Sequence, residues 1–273
     1  MQIRDVYSIE CKSKKEIPDD NFIENSKNFI DDFLLMASLI SGYPILWYQY
    51  IFISKSKIEE NIISKDSEIK EIDAFNELLV EDRDFKTFIS SVIPKYFELK
   101  NDNINLTIPI RSYLFSESAK FLEQQFILTY VALENICNQL SRKGNIEFCT
   151  KGSSFKKFQK EMENLINTFD LNEIEKENMK EKLIEINRNS VKYKFEQIFK
   201  QYNIDIRNCY DSNCSIKFLR IRNQLIHSSK HEIDSDLLID EYHRIRRYFE
   251  LIVLRILGWE KAINPYNKYN QFE

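Results

Sequence analysis

Apolar residues recur every three or four positions along most of the chain, which is the spacing of an amphipathic helix. Glu24 to Ser41 is the first such segment, and Met1 to Ser13 before it alternates weakly, as a strand would. Aromatic and β-branched residues favour a short strand or a buried apolar segment at Ile45 to Ile53. The charged region from Ser54 to Lys70 is predicted to be a surface linker or loop.

From Phe75 onward the pattern predicts helices almost throughout. They are expected at Phe85 to Leu99, Ser116 to Leu140, Ser154 to Phe169, Asn172 to Asn187, Val191 to Tyr202, about Cys214 to Ser228, and after Asp234 and Ser235. Pro94 indicates a kink or a boundary in the first of these. The predicted fold class is all-α, or mainly α. A helical bundle at 105–273 follows a small mixed α/β portion at 1–104, with a soft boundary near Asn101 to Asn105.

The composition agrees with a helical globular protein. Hydrophobic residues make up 43% of the chain, and 4 Gly and 5 Pro are few for the tight turns of a β protein. The formal net charge of -4 excludes a protein that coats nucleic acid through charge alone, so any RNA contact must be local. No Cys-x-x-Cys pair occurs, which predicts reduced thiols in a cytoplasm. The cysteines are Cys11, Cys137, Cys149, Cys209 and Cys214.

Neither a signal peptide nor a membrane span is expected. Met1 to Glu10 carries charges and lacks the apolar core of a signal peptide. The uncharged segment from Phe33 to Ile53 is long enough to span a bilayer, but Gly42-Tyr43-Pro44 divides it and Gln49 adds a polar side chain. We therefore predict a cytoplasmic protein with no membrane contact.

One motif stands out among the chemically useful residues. The dipeptide Arg-Asn occurs at Arg188-Asn189, Arg207-Asn208 and Arg222-Asn223, and only the third has a histidine, His227, five residues after the arginine. The other two act as internal controls. Because this spacing can arise by chance, its place at the end of an apolar helical stretch is a necessary second observation.

The motif suits RNA cleavage without a metal or another cofactor. An RNA 2'-hydroxyl can attack its own phosphate if a proton carrier and a cation are supplied. His227 can carry the proton near neutral pH, and Arg222 can hold the non-bridging phosphate oxygens. At about 100° per residue, these two side chains lie about 140° apart around one helix, so a single helix does not aim both at one atom unless its end unwinds. Two copies of the chain would solve this. Asn223, one turn before His227, could orient the imidazole.

At this point the chain resembles the HEPN superfamily, especially its Apea-like branch, which is linked to bacterial defence against phage. The resemblance rests on Arg222-Asn223-x-x-x-His227 late in a helical bundle and on Ala132-Leu133-Glu134 in an earlier helix. It covers roughly Ser116 to Trp259. The first hundred residues match less clearly and look like the trailing part of a larger module, which we expect to be sensing or regulatory.

The resemblance implies a toxin or anti-phage endoribonuclease that acts without a metal and leaves 2',3'-cyclic phosphate and 5'-hydroxyl ends. It also implies a homodimer with a composite site, and a role for Glu134 in fixing Arg222 or tuning His227. The expected partners are RNA and an antitoxin or a phage-derived trigger. The alternative function is a catalytically silent HEPN module that binds RNA or a partner protein, and a third is a purely structural helical assembly protein.

Ordinary structural roles remain open for each of these residues. His227 could cap a helix C-terminus, and Glu134 could form a structural salt bridge. RNA-backbone contacts are predicted for Arg220, Arg244 and Arg247, although acidic residues intervene on the last helix and a mixed solvated face is the alternative. His231 and His243 could bind a metal with Asp234 or Asp240, but their spacing matches no recognised ligand set.

Overall fold

The structure of the chain is a computed structural model that describes residues 21–42, 44–45, 49–53, 58–62, 79–80, 84–150, 152–227 and 233–260. It is mainly helical, as predicted, with one antiparallel pair of strands. The elements are α1 (Phe22–Ser41), β1 (Gln49–Ile53), β2 (Ile58–Ile62), α2 (Phe85–Asn101), α3 (Thr107–Ser118), α4 (Leu122–Lys143), α5 (Gly152–Asn167), α6 (Glu173–Ile186), α7 (Val191–Gln201), a 3₁₀ turn (Arg207–Cys209), α8 (Lys217–His227) and α9 (Ser235–Ile256). The predicted strand from Met1 to Ser13, Cys11 and His231 lie outside the described residues.

Local signals fix several helix ends where the sequence predicted them. Helix α1 ends at Gly42, whose φ of 72° is in the left-handed region that glycine adopts without strain. The Asn172 side chain accepts a hydrogen bond from the Glu175 amide in a capping box that begins α6. The Asp234 side chain caps α9 by accepting hydrogen bonds from the amides of Asp236 and Leu237. The predicted helices from Ser154 onward are confirmed to within about three residues.

In the first hundred residues one prediction was wrong, and one of the two alternatives at Pro94 is excluded. Strand β2 lies inside the segment that was predicted to be a loop, and it pairs with β1 in the register Ile51↔Glu60. Its sequence, Ile-Glu-Glu-Asn-Ile, lacks the apolar–polar alternation of a strand. Only its pairing with β1 makes this segment a strand. Pro94 is not a boundary either, because α2 continues through it to Asn101 with buried residues on both sides of the proline.

Helix α3 was not predicted. Ser116 was expected to begin the next helix, but it lies near the end of α3, and α4 begins at Leu122. The α3 sequence places apolar side chains on two sides of the helix: Tyr113 is buried, whereas Phe115 is exposed. Such a segment has no amphipathic period, which explains why periodicity failed to detect it.

Helix α4 is the centre of the bundle and contacts α3, α7, α8 and α9. A single hydrophobic cluster includes Leu39 of α1, Val92 of α2, Phe126 of α4 and Phe249 of α9. This cluster contains residues from both sides of the predicted boundary at 104/105, and the division into two portions stays a prediction. Because α8 packs against α4, the core sets the position of α8.

The described helices include none that is both long and apolar enough to cross a membrane. The segment considered above as a span contains the end of α1 at Ser41, a left-handed Gly42, and then strand β1. Of the described cysteines, Cys137 and Cys209 are buried and Cys149 and Cys214 are exposed, and all are free thiols.

Candidate functional site

Helix α8 carries the whole motif on eleven residues and ends at His227. Its buried face consists of Phe218 and Ile221, which belong to the central hydrophobic cluster. Burial of these two side chains fixes the rotation of the helix. Consequently Arg222 and His227 are presented in directions that the core sets.

Arg222 lies against α4. Its guanidinium carbon is 5.6 Å from the centre of the Tyr130 ring, and Nη1 donates a hydrogen bond of 3.0 Å to Asn223 Oδ1. Its Nε is buried and has no hydrogen-bond partner among the described residues. Arg222 also forms no ion pair with a carboxylate of these residues. The guanidinium is thus held by an aromatic face and an amide while its charge stays without an acidic counter-ion.

Glu134 lies on the other side of Tyr130. The Tyr130 hydroxyl donates a hydrogen bond to Glu134 Oε1 at 3.3 Å, and no direct ion pair joins Glu134 to Arg222 in the described part of the chain. Burial, and then the charge of Glu134, raise the pKa of Tyr130, so the phenol keeps its proton and remains a donor. The Tyr130 side chain thus contacts both Glu134 and Arg222, and the catalytic role of Glu134 stays a prediction.

His227 is exposed and lines an open groove. The other lining residues are Lys192, Ser215, Ile216, Leu219, Arg220, Asn223 and Gln224. Lys192 Nζ donates to the Cys214 carbonyl at 2.6 Å, and Arg220 forms an ion pair of 3.0 Å with Asp211. Lys192 also forms an ion pair of 3.8 Å with Glu196, so two cations from two helices, each paired with a carboxylate, line the same groove as the imidazole.

The groove brings together some of the predicted site residues. Arg220, Asn223 and His227 line it, whereas Arg222 does not. Asn223 connects Arg222 with the groove, because it lines the groove and its Oδ1 accepts the hydrogen bond from Arg222. No hydrogen bond between Asn223 and His227 occurs within the described residues, so the predicted orientation of the imidazole by Asn223 is not formed here.

The two arginines predicted on the last helix lie elsewhere. Arg244 is half-buried and forms an ion pair of 3.1 Å with the buried carboxylate of Glu241. Arg247 is half-buried on the same helix. Neither lines the groove, and their contact with RNA stays a prediction.

His243, the alternative metal ligand, lies half-buried against the Tyr242 ring, with centroids 5.3 Å apart. Burial and the nearby charge of Arg246 lower the pKa of His243. Among the residues described, no group of three or more His, Cys, Asp or Glu side chains is placed to hold a metal ion.

The two control Arg-Asn pairs have structural partners. Asn189 Nδ2 donates to the Ile146 carbonyl at 2.8 Å, and Arg207 forms an ion pair of 2.6 Å with Asp205. Both contacts hold local turns. The third pair differs, because in the described part of the chain Arg222 contacts its neighbouring amide and an aromatic ring and no carboxylate.

Sequence reasoning missed Tyr130 and Lys192. Tyr130 precedes Glu134 by one helical turn, so helical spacing could have suggested a pair with it, although nothing in the sequence connects it with Arg222. Lys192 comes from α7 and has no local signal, because only the packing of α7 beside α8 brings it to the groove. Both residues are placed by tertiary structure.

Comparisons with known proteins give no match: no protein-family model, no curated protein and no solved structure matches this chain. Its relation to the HEPN superfamily therefore stays a prediction from Arg222-Asn223-x-x-x-His227 and Glu134.

Proposed function

We propose that this protein is a metal-independent endoribonuclease of the HEPN type. The observation that supports the proposal best is the environment of Arg222, whose guanidinium lies over Tyr130 and has no acidic counter-ion among the described residues, on the helix that ends at His227. A cation kept without a carboxylate partner favours binding of an anion. The exposed imidazole of His227 at the end of the same helix can supply the proton carrier that attack by a 2'-hydroxyl needs.

The proposed reaction uses the RNA as its own nucleophile. His227 takes the proton of a 2'-hydroxyl, the 2'-oxygen forms a bond to the adjacent phosphorus, and the bond from phosphorus to the 5'-oxygen breaks. The 5'-oxygen takes a proton from water, which leaves a 2',3'-cyclic phosphate and a 5'-hydroxyl. Arg222 stabilises the negative charge that grows on the non-bridging oxygens. Lys192 and Arg220 hold the neighbouring phosphates in the groove.

The directions of the two side chains favour a composite site. Arg222 lies against α4, whereas His227 faces the groove, and five positions on a helix separate them by about 140°. A two-fold symmetric pair of chains can bring Arg222 of one copy to His227 of the other. We therefore propose a homodimer in which each site uses both copies.

The cellular role follows from the chemistry. An RNase of this kind damages the cell that makes it, so it requires control, and we propose a cytoplasmic toxin or anti-phage effector that an antitoxin or a phage-derived trigger regulates. The activity predicts toxicity on expression. Wild-type protein should accumulate poorly in cells, and the His227→Ala variant should accumulate well.

The test is incubation of purified protein with total RNA in excess EDTA, beside His227→Ala. The Gln224→Ala variant is the matched control, because Gln224 lines the same groove one turn from Arg220. We expect wild type and Gln224→Ala to cleave, His227→Ala to be inactive, and the new ends to require removal of a cyclic phosphate before labelling.

Cleavage that His227→Ala retains would contradict the proposal. Wild-type protein that binds RNA in a filter assay but never cleaves it would favour the catalytically silent module instead. Binding that falls in Arg222→Ala while His227→Ala binds normally would then identify Arg222 as the phosphate contact of that module.

A further inference from the structure

Helices α5 and α6 form an antiparallel hairpin that packs chiefly against itself. Its two fully buried apolar side chains, Ile166 and Leu183, do not belong to the central hydrophobic cluster. The hairpin therefore has a small apolar core that is separate from the central hydrophobic cluster.

The base of the hairpin is closed by contacts between the segment that enters α5 and the segment that leaves α6. Phe148 and Arg188 form an antiparallel bridge, and the Cys149 amide donates to the Asn187 carbonyl at 2.7 Å. The chain then enters α7 at Val191, directly before the groove residue Lys192. The hairpin is thus anchored next to the candidate site.

Large apolar side chains are exposed along the hairpin, with exposed fractions from 41% to 74%. They are Phe158, Leu165, Phe169, Ile174, Met179 and Ile186. Single exposed apolar residues are common on protein surfaces, but six on one short hairpin form a patch of the kind that marks an interaction surface.

Four of these side chains lie in two stripes on one side of the hairpin. Phe158 and Leu165 fall within about 20° of each other around α5, and Met179 and Ile186 within about 20° around α6. Each stripe is turned by roughly 50–90° from the buried residue of its own helix. Because the helices are antiparallel, both offsets point to the same side. The two stripes therefore form one face.

We infer that this face binds the same face of a second copy of the chain. The rim of the face carries both signs of charge: Lys157 and Glu161 flank the α5 stripe, and Lys182 and Glu185 flank the α6 stripe. A surface that meets its own copy across a two-fold axis must be self-complementary, and a rim of mixed charge allows opposite charges to face each other.

The charge of the hairpin disfavours other occupants. Residues 152–186 contain six lysines and eight carboxylates, which gives a net formal charge of -2. RNA and anionic membranes both attract basic surfaces, so neither suits this face. An apolar centre with a mixed rim is the composition expected of a protein–protein interface.

The size of the face fits a modest dimer interface. Helices of 16 and 14 residues are about 24 and 21 Å long, and two adjacent helices are about 20 Å wide, which gives a projected face of about 450 Å². Stable interfaces bury about 800 Å² of accessible surface on each partner, and a corrugated helical face exposes more than its projection. We therefore expect a dimer whose dissociation is measurable at micromolar concentration.

This inference supplies an interface for the homodimer of the proposed function, and it rests on that function for its biological role. The evidence for the face itself is independent of catalysis. A chain that is monomeric at every concentration would overturn both this interface and the composite site, whereas a dimer that does not cleave RNA would leave the interface standing.

The test is sedimentation equilibrium of the full chain over a hundredfold range of concentration. Leu165→Glu with Met179→Glu places a charge in each stripe, at positions that are already exposed, so folding should be retained. The control is Ile108→Glu with Phe115→Glu on α3, which are 58% and 61% exposed. We expect a wild-type dimer, a dissociation constant raised about 100-fold or more in the hairpin variant, and no change in the control.

Three results would overturn the inference: a wild-type monomer at every concentration, an unchanged dimer in the hairpin variant whose helical circular dichroism is intact, or dissociation by the α3 control alone. RNA cleavage is measured separately on the same samples. A monomeric hairpin variant that cleaves like wild type would leave the interface standing and remove the composite site. A hairpin variant that stays dimeric would leave the RNase proposal standing.

Discussion

Arg246 and Arg222 each lie over a tyrosine ring, but they differ in their acidic partners. Arg246 on α9 is 5.9 Å from the Tyr113 ring, and it forms ion pairs of 3.1 Å with both Glu117 and Glu250. Its side chain is 6% exposed, and those of the two glutamates are 8% and 3% exposed. The charge of Arg246 is therefore buried and compensated.

Arg222 on α8 has the aromatic contact, but within the described residues it forms no ion pair with a carboxylate. Its guanidinium is 5.6 Å from the Tyr130 ring, and the nearest carboxylate partner of that tyrosine, Glu134, binds the hydroxyl rather than the arginine. Burial of charge is tolerated at Arg246 because counter-charges surround it. At Arg222 the missing counter-charge is the feature that suits an anionic ligand.

The polar network around Arg246 shows how completely a structural charge is satisfied. The Tyr113 hydroxyl donates to Glu250 at 2.7 Å, and the Tyr242 hydroxyl donates to Glu117 at 3.0 Å. Burial raises the pKa of Glu117, and the charge of Arg246 opposes that rise. Every charged member has a hydrogen-bonded partner, which is the condition for a stable buried network.

The largest expected effect is on stability, at Arg246. Arg246→Met should cost about 3–5 kcal/mol of unfolding free energy, because it leaves two buried carboxylates without their cation. Urea denaturation followed by circular dichroism measures the loss. The matched change Arg222→Met should cost less than about 1 kcal/mol, since no buried carboxylate depends on it. Equal losses at the two positions would contradict the distinction between them.

The next effect is on RNA cleavage, at Arg222. Arg222→Ala should lower the cleavage rate about 10²- to 10³-fold, the usual cost of removing one group that stabilises charge in a transition state. The control is Arg207→Ala, which changes the arginine of another Arg-Asn pair on the surface. The measurement is the rate of cleavage of a labelled RNA in EDTA. Comparable falls in this rate for the two variants would contradict a special role for Arg222.

The smallest effect concerns the exposed pair of Arg207 and Asp205. Hydrogen bonds from Arg207 hold the pKa of Asp205 at about 2, below its usual value of 3.8. A depressed folded-state pKa stabilises the protein above the unfolded value, so this contribution is present above about pH 4 and is lost as the pH falls through 2. The difference in urea midpoint between wild type and Asp205→Asn should therefore shrink between pH 5 and pH 2. A constant difference would show that the pair adds nothing.

Much of the fold could be predicted because its signals are local. Helices α5 to α9 follow from apolar spacing and from caps such as Asn172 and Asp234, which lie next to the turns they begin. Helix α3 could not be predicted because Ile108 and Phe115 leave it apolar on its solvent side. Strand β2 depends on its pairing with β1, which no local pattern records.

The candidate site also contains residues that local sequence could predict and residues that it could not. Arg222, Asn223 and His227 share one helix, so their spacing along the chain already revealed them. Tyr130 reaches Arg222 only because α4 packs against α8, and Lys192 reaches the groove only through the position of α7. Contacts of this kind depend on tertiary packing and are invisible to a motif.

Complementation between two inactive chains tests the central claim most directly. Co-expression of Arg222→Ala and His227→Ala chains in equal amounts gives mixed dimers in which one composite site has both its arginine and its histidine. The account predicts cleavage at about a quarter of the wild-type rate from the mixture, since half of the dimers are mixed and each has one intact site of two, while each variant alone is inactive. No cleavage by the mixture, with mixed dimers present, would contradict a site that draws Arg222 from one chain and His227 from the other.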